Sequence, residues 1–112
     1  MIDLNKLADD MLAVAKKRGE NGANLKTDTV SMLKHTATEV VEAMDAYSKL
    51  HIGQLIHPVL GKERQEAFAF ELADIIACVL IICANEGVDM EVALMMCLKK
   101  NEARAEGKGD KK

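Results

Sequence analysis

Apolar residues recur at intervals of three and four along most of the chain, which is the spacing of amphipathic helices. The first helix is expected over Leu4–Lys17 with Asp3 as its cap, and the second over Asp28–Leu50. Between them, residues 18–24 interrupt the periodicity with glycine and asparagine and are expected to form a loop. The second helix carries a continuous apolar stripe suited to packing against another helix: Val30, Leu33, Ala37, Val40, Met44 and Tyr47.

The second half of the chain predicts two more helices. The third is expected over Glu63–Asn85 with Gly87 closing it, and the fourth begins after Asp89 and reaches Arg104. Residues 51–61 contain two glycines and the single proline, so we expect a connection there. The pattern predicts one all-α, four-helix bundle-like domain over residues 1–105, followed by a polar tail over 106–112.

Composition narrows the class of protein further. A chain of 112 residues suits one domain, and with only 3% aromatic residues its core must be aliphatic. A net charge of −3 without a basic stripe argues against nucleic acid. The chain starts without a signal-peptide pattern, and its longest apolar run, residues 75–84, is too short for a bilayer. Three cysteines in apolar stretches indicate reduced thiols, so we expect a cytoplasmic protein that does not engage membranes.

Two pairs of carboxylates carry the candidate chemistry. Glu39 and Glu42 lie three residues apart on the second helix, as do Glu71 and Asp74 on the third. Residues at this spacing share one side of a helix, so two antiparallel neighbouring helices would bring all four acids together. Two alternatives stay open: the glutamates can decorate a solvated face, and Asp74 can lie in water at the end of the bundle.

A convergent acidic site would suit a hard divalent cation. Carboxylate oxygens favour magnesium, manganese or calcium, and magnesium commonly binds together with substrate phosphates. Carboxylate-bridged iron sites use Glu-x-x-His pairs, and none of the three histidines has a glutamate three residues before it. His35 lies four residues before Glu39 and is expected to pair with it.

The complete pattern resembles a known family. Glu39-x-x-Glu42, a gap of 28 residues and Glu71-x-x-Asp74 are similar to the motif of MazG-like members of the all-α nucleotide pyrophosphohydrolase superfamily. The segment from Leu98 to Arg104, which holds Lys100 and Asn101, resembles the family's Lys-Asn-Arg segment near the end of the following helix. The resemblance extends from about Thr29 to Arg104.

The resemblance implies a magnesium-dependent enzyme, with manganese as a substitute, that hydrolyses a nucleoside triphosphate to a monophosphate and pyrophosphate in the service of nucleotide-pool house-cleaning. It implies a homodimer or homotetramer. The resemblance implies that all four acids bind the metal and that Glu39 or Glu42 activates the water. It also implies that basic and amide side chains bind the substrate: Lys100, Asn101, Arg104 and, more weakly, Lys34. The alternatives are a non-catalytic helical oligomer and a nucleotide-binding regulatory module.

Overall fold

Four helices make up the part of the chain that the computed structural model describes. It covers the backbone of residues 2–56 and 58–107, and the side chains of those residues outside 53–60. The helices are α1 (Leu4–Glu20), α2 (Thr29–Ile56), α3 (Pro58–Glu86) and α4 (Met90–Ala105). No strand occurs within these ranges. The predicted all-α, four-helix class is therefore confirmed.

Several helices begin or end beside the capping residues that the sequence predicted. The Asp3 carboxylate accepts hydrogen bonds from the backbone N–H groups of Asn5 and Lys6, both at 3.1 Å, at the start of α1. Asp89 accepts a bond of 3.2 Å from the N–H of Val92 at the start of α4. Gly87 follows α3 with a φ of 66°, a left-handed conformation in which any other residue would be strained. These local rules account for the agreement between sequence and structure at the helix ends.

The predicted connection over residues 51–61 is wrong, because α2 continues to Ile56 and α3 already begins at Pro58. Proline is tolerated in the first turn of a helix, where its missing N–H has no intrahelical partner. Gly53 and Gly61 lie inside the two helices, at a cost of about 1 kcal/mol each in helix propensity. His57, which falls in the predicted connection, lies outside the described residues.

The helices α2 and α3 form a long antiparallel hairpin, and α1 packs mainly against α3. The Tyr47 and Phe68 rings meet towards one end of the hairpin, with centroids 5.5 Å apart, while Thr29 donates a hydrogen bond to Glu86 at the other. One buried cluster joins the three helices through Ala15, Met32, Cys78 and Ile81. By contrast, α4 contacts α1 and buries none of its own residues. The core thus sits between α1, α2 and α3.

The buried face of α2 is not its apolar stripe. Three stripe residues, Val30, Met44 and Tyr47, are 61%, 66% and 55% exposed. The positions buried along α2 are instead Met32, Glu39, Ala43 and Leu50. The hairpin therefore turns a carboxylate inward and leaves a continuous apolar face uncovered by the chain itself.

One stretch of α3, Gly61–Glu86, is long and apolar enough to cross a membrane by length and composition, and 22% of its most apolar window is buried. Core helices of soluble proteins meet the same two criteria. The segment also contains Glu71 and Asp74, and a carboxylate near the centre of a bilayer costs roughly 2.5–3.5 kcal/mol. The expectation that the protein does not engage membranes stays a prediction.

Candidate metal centre

The predicted acids lie along the seam between α2 and α3. On α2 the seam residues follow each other at alternating intervals of four and three: His35, Glu39, Glu42, Ala46 and Lys49. On α3 they follow with the same intervals: Arg64, Ala67, Glu71, Asp74, Cys78 and Ile81. Among these residues only Glu39, Cys78 and Ile81 are buried. The seam therefore runs along one solvent-accessible edge of the contact between α2 and α3, with charged residues in its middle.

Three of the four predicted ligands come together there. Glu39, Glu42 and Glu71 each offer one carboxylate oxygen, and these oxygens all lie within 4.8 Å of one another. Glu39 is buried, Glu71 is half-buried and Glu42 is exposed, so the group opens to solvent on one side. This acidic triad could hold a metal ion. Hard divalent cations take such all-oxygen ligand sets.

Two carboxylate oxygens of the triad lack the partners that buried polar atoms require, and a cation could supply one. The Oε2 atoms of Glu39 and Glu71 are buried and have no hydrogen-bond partner. A buried carboxylate oxygen without a partner costs free energy, and buried polar groups of native proteins are almost always satisfied. A divalent cation held by the triad would supply the missing positive partner and would offset the repulsion among three acids. The donor set of the chain therefore fits the metal that its sequence pattern implies.

His35 contacts the buried end of the triad, as its spacing predicted. Its Nε2 atom lies 3.1 Å from Oε1 of Glu39, which is the oxygen not left unpartnered. The predicted pairing of His35 with Glu39 is thus confirmed.

The surroundings of Glu39 raise its pKa above the ordinary value. Burial is the largest cause, followed by the charge of Glu42 and by hydrogen bonding of the protonated form to Glu42. Asp74 raises this pKa further, and His35 opposes the rise. Without a cation, the fold therefore disfavours the ionised form of Glu39.

This raised pKa predicts how the stability of the metal-free protein depends on pH. Between the ordinary pKa of Glu39, 4.5, and its higher folded value, the native state binds more protons than the unfolded state. We expect the free energy of unfolding in the presence of a chelator to fall as the pH rises through that window. Glu39→Gln removes this contribution, so the difference between parent and variant, measured by urea unfolding, should grow with pH. Equal pH slopes for the two proteins would contradict the prediction.

Asp74 lies beside the triad rather than within it. It lines an open cavity of about 510 Å³ together with Glu39 and His35, between α1, α2 and α3. The cavity has a mostly aliphatic wall, and Arg18 from the last turn of α1 also lines it. Asp74 is close enough to raise the pKa of Glu39 by its charge. Its role as a ligand stays a prediction, and we name this space the α1-side cavity.

A second open cavity of about 360 Å³ lies on the other side of the triad, towards the bend of the hairpin. Glu42 and Glu71 form one end of it, and Lys49 and Arg64 line it one heptad further along each helix. We name it the bend-side cavity. The acidic triad thus lies between two open cavities, one with a mostly aliphatic wall that includes Arg18 and one that is lined by Lys49 and Arg64.

The predicted substrate-binding residues are not gathered around the triad within one chain. Lys34 lines a neighbouring surface depression, which shares His35 with the α1-side cavity. Lys100, Asn101 and Arg104 lie exposed on α4, and none of them lines either cavity beside the acids. The Asn101 amide donates a hydrogen bond of 3.6 Å to the Cys97 sulfur. Their predicted roles stay predictions.

Three basic residues beside the acids did not figure in the interpretation of the sequence. Arg18 fell in a stretch expected to be a loop, although α1 extends to Glu20. Lys49 and Arg64 fell beside the supposed connection, where their helical register was not recognised. The signal that could have identified them is the heptad spacing, because Lys49 follows Glu42 and Arg64 precedes Glu71 by seven residues.

Comparison of the chain with protein-family models, with curated proteins and with solved structures finds no match.

Proposed function

We propose that this protein is a magnesium-dependent nucleoside triphosphate pyrophosphohydrolase. The observation that supports this best is the pair of buried, unpartnered Oε2 atoms of Glu39 and Glu71 beside the Glu42 carboxylate. Such a group is costly in a fold that needs no cation and useful in one that handles phosphate. The similarity of the motif to that of MazG-like enzymes supplies the substrate class.

In this proposal Glu39, Glu42 and Glu71 hold the cation, with Asp74 as the predicted fourth ligand. Magnesium, or manganese in its place, supplies positive charge that neutralises phosphate oxygens and polarises the α-phosphoryl group. The chain itself contributes the fixed position of the carboxylates, because three of them project from two packed helices rather than from loops. Rigid placement of this kind is what a phosphoryl-transfer site requires.

The proposed reaction balances as a hydrolysis. The oxygen of a water molecule forms a bond to the α-phosphorus, and the bond from that phosphorus to the bridging oxygen breaks. The electron pair leaves with pyrophosphate. The proton of the water goes to Glu39 or Glu42, the two glutamates predicted for this role. His35 holds Glu39 in position, since its Nε2 atom lies 3.1 Å from Oε1 of that glutamate.

The α1-side cavity is suited to the nucleoside. Its volume of about 510 Å³ falls in the range of small-molecule sites, and its wall includes the aliphatic side chains of Met11, Leu25 and Ile81. A base enters such a space by excluding water from apolar surface. Arg18 and Lys34 lie near its edge and are available to the sugar or to a phosphate.

A second copy of this chain is the proposed partner. One chain exposes 8431 Å², whereas a compact monomer of 12.2 kDa exposes about 6,000 Å². Its radius of gyration is 17.3 Å, against about 13 Å for a compact domain of this length. The excess area is of the size that obligate dimers bury. It includes the apolar face formed by Val40, Met44, Tyr47, Leu72 and Ile76.

In such an assembly the predicted contacts of α4 belong to the partner. Lys100, Asn101 and Arg104 do not reach the acids within one chain, so they bind phosphate in this proposal only if a second copy brings its α4 to the triad. We place the protein in the cytoplasm, which keeps thiols reduced; Cys78 and Cys83 are free and buried.

Placing a charge on the exposed apolar face is expected to dissociate the assembly. We predict that the parent has at least twice the 12.2 kDa mass of one chain by light scattering, and that Met44→Glu shifts it towards 12.2 kDa. The reason is that Met44 is 66% exposed in one chain, so a charge there is harmless to the fold but costly when buried in an interface. The matched control is Val88→Glu, because Val88 is 44% exposed and lies in the connection between α3 and α4. A parent of single-chain mass would contradict the proposed assembly.

The test of the function is pyrophosphate release. Purified protein with magnesium is mixed with a panel of ribo- and deoxyribonucleoside triphosphates, and pyrophosphate and monophosphate are measured together. Equal amounts of both products are expected for at least one nucleotide. Release of inorganic phosphate alone, or no hydrolysis, would contradict the proposal.

The exposed apolar face favours a second candidate function, a non-catalytic helical oligomer. It requires the same assembly but no cation and no turnover. A magnesium-insensitive oligomer without hydrolysis would support it, whereas magnesium-dependent nucleotide binding without turnover would support a regulatory module.

A further inference from the structure

The bend-side cavity has a lining that the acidic triad alone does not explain. It runs along the α2–α3 seam from Glu42 and Glu71 to Lys49 and Arg64, and Asp45 also lines it. Cations one heptad from a cluster of carboxylates are too far along the helix to serve as its simple ion-pair partners. The rise of a helix separates positions seven apart by about 10 Å. The space between them is about 360 Å³.

A hydrogen bond to the facing helix fixes the position of Arg64 in the wall of the bend-side cavity. It is half-buried, and its Nη1 atom donates a hydrogen bond of 2.8 Å to the backbone carbonyl of Lys49 on the facing helix. One contact to a carbonyl uses one of the five N–H donors of a guanidinium. The other donors stay available, and a guanidinium with a fixed orientation is well suited to bidentate contact with phosphate oxygens.

Lys49 supplies a second, more adaptable cation. Its Nζ atom pairs with Asp45 at 3.0 Å, but both side chains are about two-thirds exposed, at 64% and 66%. An exposed pair of this kind is worth little, about 0–1 kcal/mol, so a multiply charged anion can replace the carboxylate as the partner of Lys49. The amine is therefore within reach of a ligand in the cavity.

Small side chains keep the middle of the cavity open. Ala46 and Ala67 occupy the seam positions between the acids and the cations, where larger residues would fill the gap. The lining and Glu39, the third acid of the triad, together carry four carboxylates and two cations, so one divalent ion on the triad changes their net charge from two negative to zero. With such an ion bound, the acidic end no longer repels an anion that extends from the triad towards Lys49 and Arg64.

We propose that Lys49 and Arg64 bind the β- and γ-phosphates of the substrate, which leave as pyrophosphate. This inference rests on the proposed function and adds the direction in which the substrate lies. The nucleoside occupies the α1-side cavity, the α-phosphorus lies at the triad, and the two terminal phosphates occupy the bend-side cavity. The position of the acids between the two spaces accounts for cleavage at the α-phosphorus rather than at the terminal one.

Binding of inorganic pyrophosphate in the presence of magnesium tests this assignment. Isothermal titration calorimetry is carried out on the full chain, with Lys49→Gln, Arg64→Gln and Arg64→Lys as variants. We expect Lys49→Gln and Arg64→Gln each to weaken pyrophosphate binding at least about 10-fold, the usual effect of losing a charged hydrogen bond. Arg64→Lys keeps the positive charge but not the forked geometry of the guanidinium, so its affinity for pyrophosphate should lie between that of the glutamine variants and that of the parent. Nucleoside monophosphate binding should change less than about twofold in the Lys49→Gln protein.

Lys62→Gln is the matched control, since Lys62 is exposed on the same helix as Arg64 and lines neither cavity. Circular dichroism checks that each variant is folded, and Lys49→Gln decides the outcome should the Arg64 variants unfold. If pyrophosphate binds Lys49→Gln as tightly as it binds Lys62→Gln while magnesium still stabilises the protein, the subsite is overturned and the proposed function survives. If the parent does not respond to magnesium, both are overturned.

Discussion

Replacing Glu71 by glutamine is expected to reduce pyrophosphate release by at least about a thousandfold, which corresponds to roughly 4 kcal/mol of lost transition-state stabilisation. The Oε2 atom of Glu71 is buried without a hydrogen-bond partner, and one oxygen of this carboxylate lies within 4.8 Å of oxygens of Glu39 and Glu42. An amide in its place removes a negative charge from the proposed cation site while keeping the shape of the side chain. The measurement is the rate of pyrophosphate formation from the best nucleotide of the panel, with magnesium present.

The control for this substitution is Glu66→Gln. Glu66 is an exposed acid on the same helix, and it lies outside the triad and outside both cavities. Its substitution should change the rate less than about twofold, because exposed charges distant from a site have little effect on it. Both proteins should keep the helix content of the parent by circular dichroism. A Glu71→Gln protein as active as the parent would show that the site is misassigned.

Magnesium is expected to raise the melting temperature of the parent by roughly 10 °C. At a concentration 100 times the dissociation constant, a ligand that binds only the native state stabilises it by about 2.7 kcal/mol. For a domain of this size, each kcal/mol shifts the melting temperature by several degrees. The measurement is a thermal melt followed by circular dichroism, with and without the metal. An unchanged melting temperature at tens of millimolar magnesium would exclude a functional site.

The Glu39→Gln variant should differ from the parent in melting temperature both without and with magnesium. Without metal, it is expected to melt at a higher temperature than the parent near pH 7, because it removes a buried charge that burial and Glu42 disfavour. With magnesium, its melting temperature should hardly change. A variant that is less stable than the parent but keeps the full magnesium response would assign Glu39 a structural role.

The helices could be predicted from the sequence wherever local chemistry decides their ends. Asp3, Asp89 and Gly87 act on neighbouring backbone groups only, so their effect can be inferred without the rest of the fold. The connection at residues 51–61 could not be inferred in that way. There α2 and α3 continue through Gly53 and Gly61 against their weak helix preferences, and Pro58 begins a helix instead of breaking one.

The faces of α2 illustrate a second limit of the sequence. Hydrophobic periodicity identified the stripe through Val40 and Met44, but the chain buries the face of Met32 and Glu39 instead. A long helix with two covered faces presents both patterns at once, and periodicity alone does not say which face the chain covers itself. The stripe is the surface that we assign to the second copy.

The acidic triad was predictable because its three residues obey a simple spacing on two consecutive helices, whereas the ligand role of Asp74 stays a prediction. Glu39, Glu42 and Glu71 meet as that spacing requires, and His35 contacts Glu39 for the same reason. The cationic end of the seam was missed because Lys49 and Arg64 flank the supposed connection, and without it their positions one heptad from the acids were not recognised. Lys100, Asn101 and Arg104 line neither cavity beside the acids within one chain, so their roles stay predictions.

Titration of Mn²⁺ into the metal-free protein, followed by electron paramagnetic resonance, tests the central claim most directly because only the unbound ion gives a strong signal. We expect the signal of the parent to be suppressed until at least one equivalent per chain is bound, and magnesium to displace the bound Mn²⁺. Glu39→Gln and Glu71→Gln should lose this binding, whereas Glu66→Gln should keep it. A free-ion signal that rises from the first addition in the parent, or equal binding by all four proteins, would contradict the account.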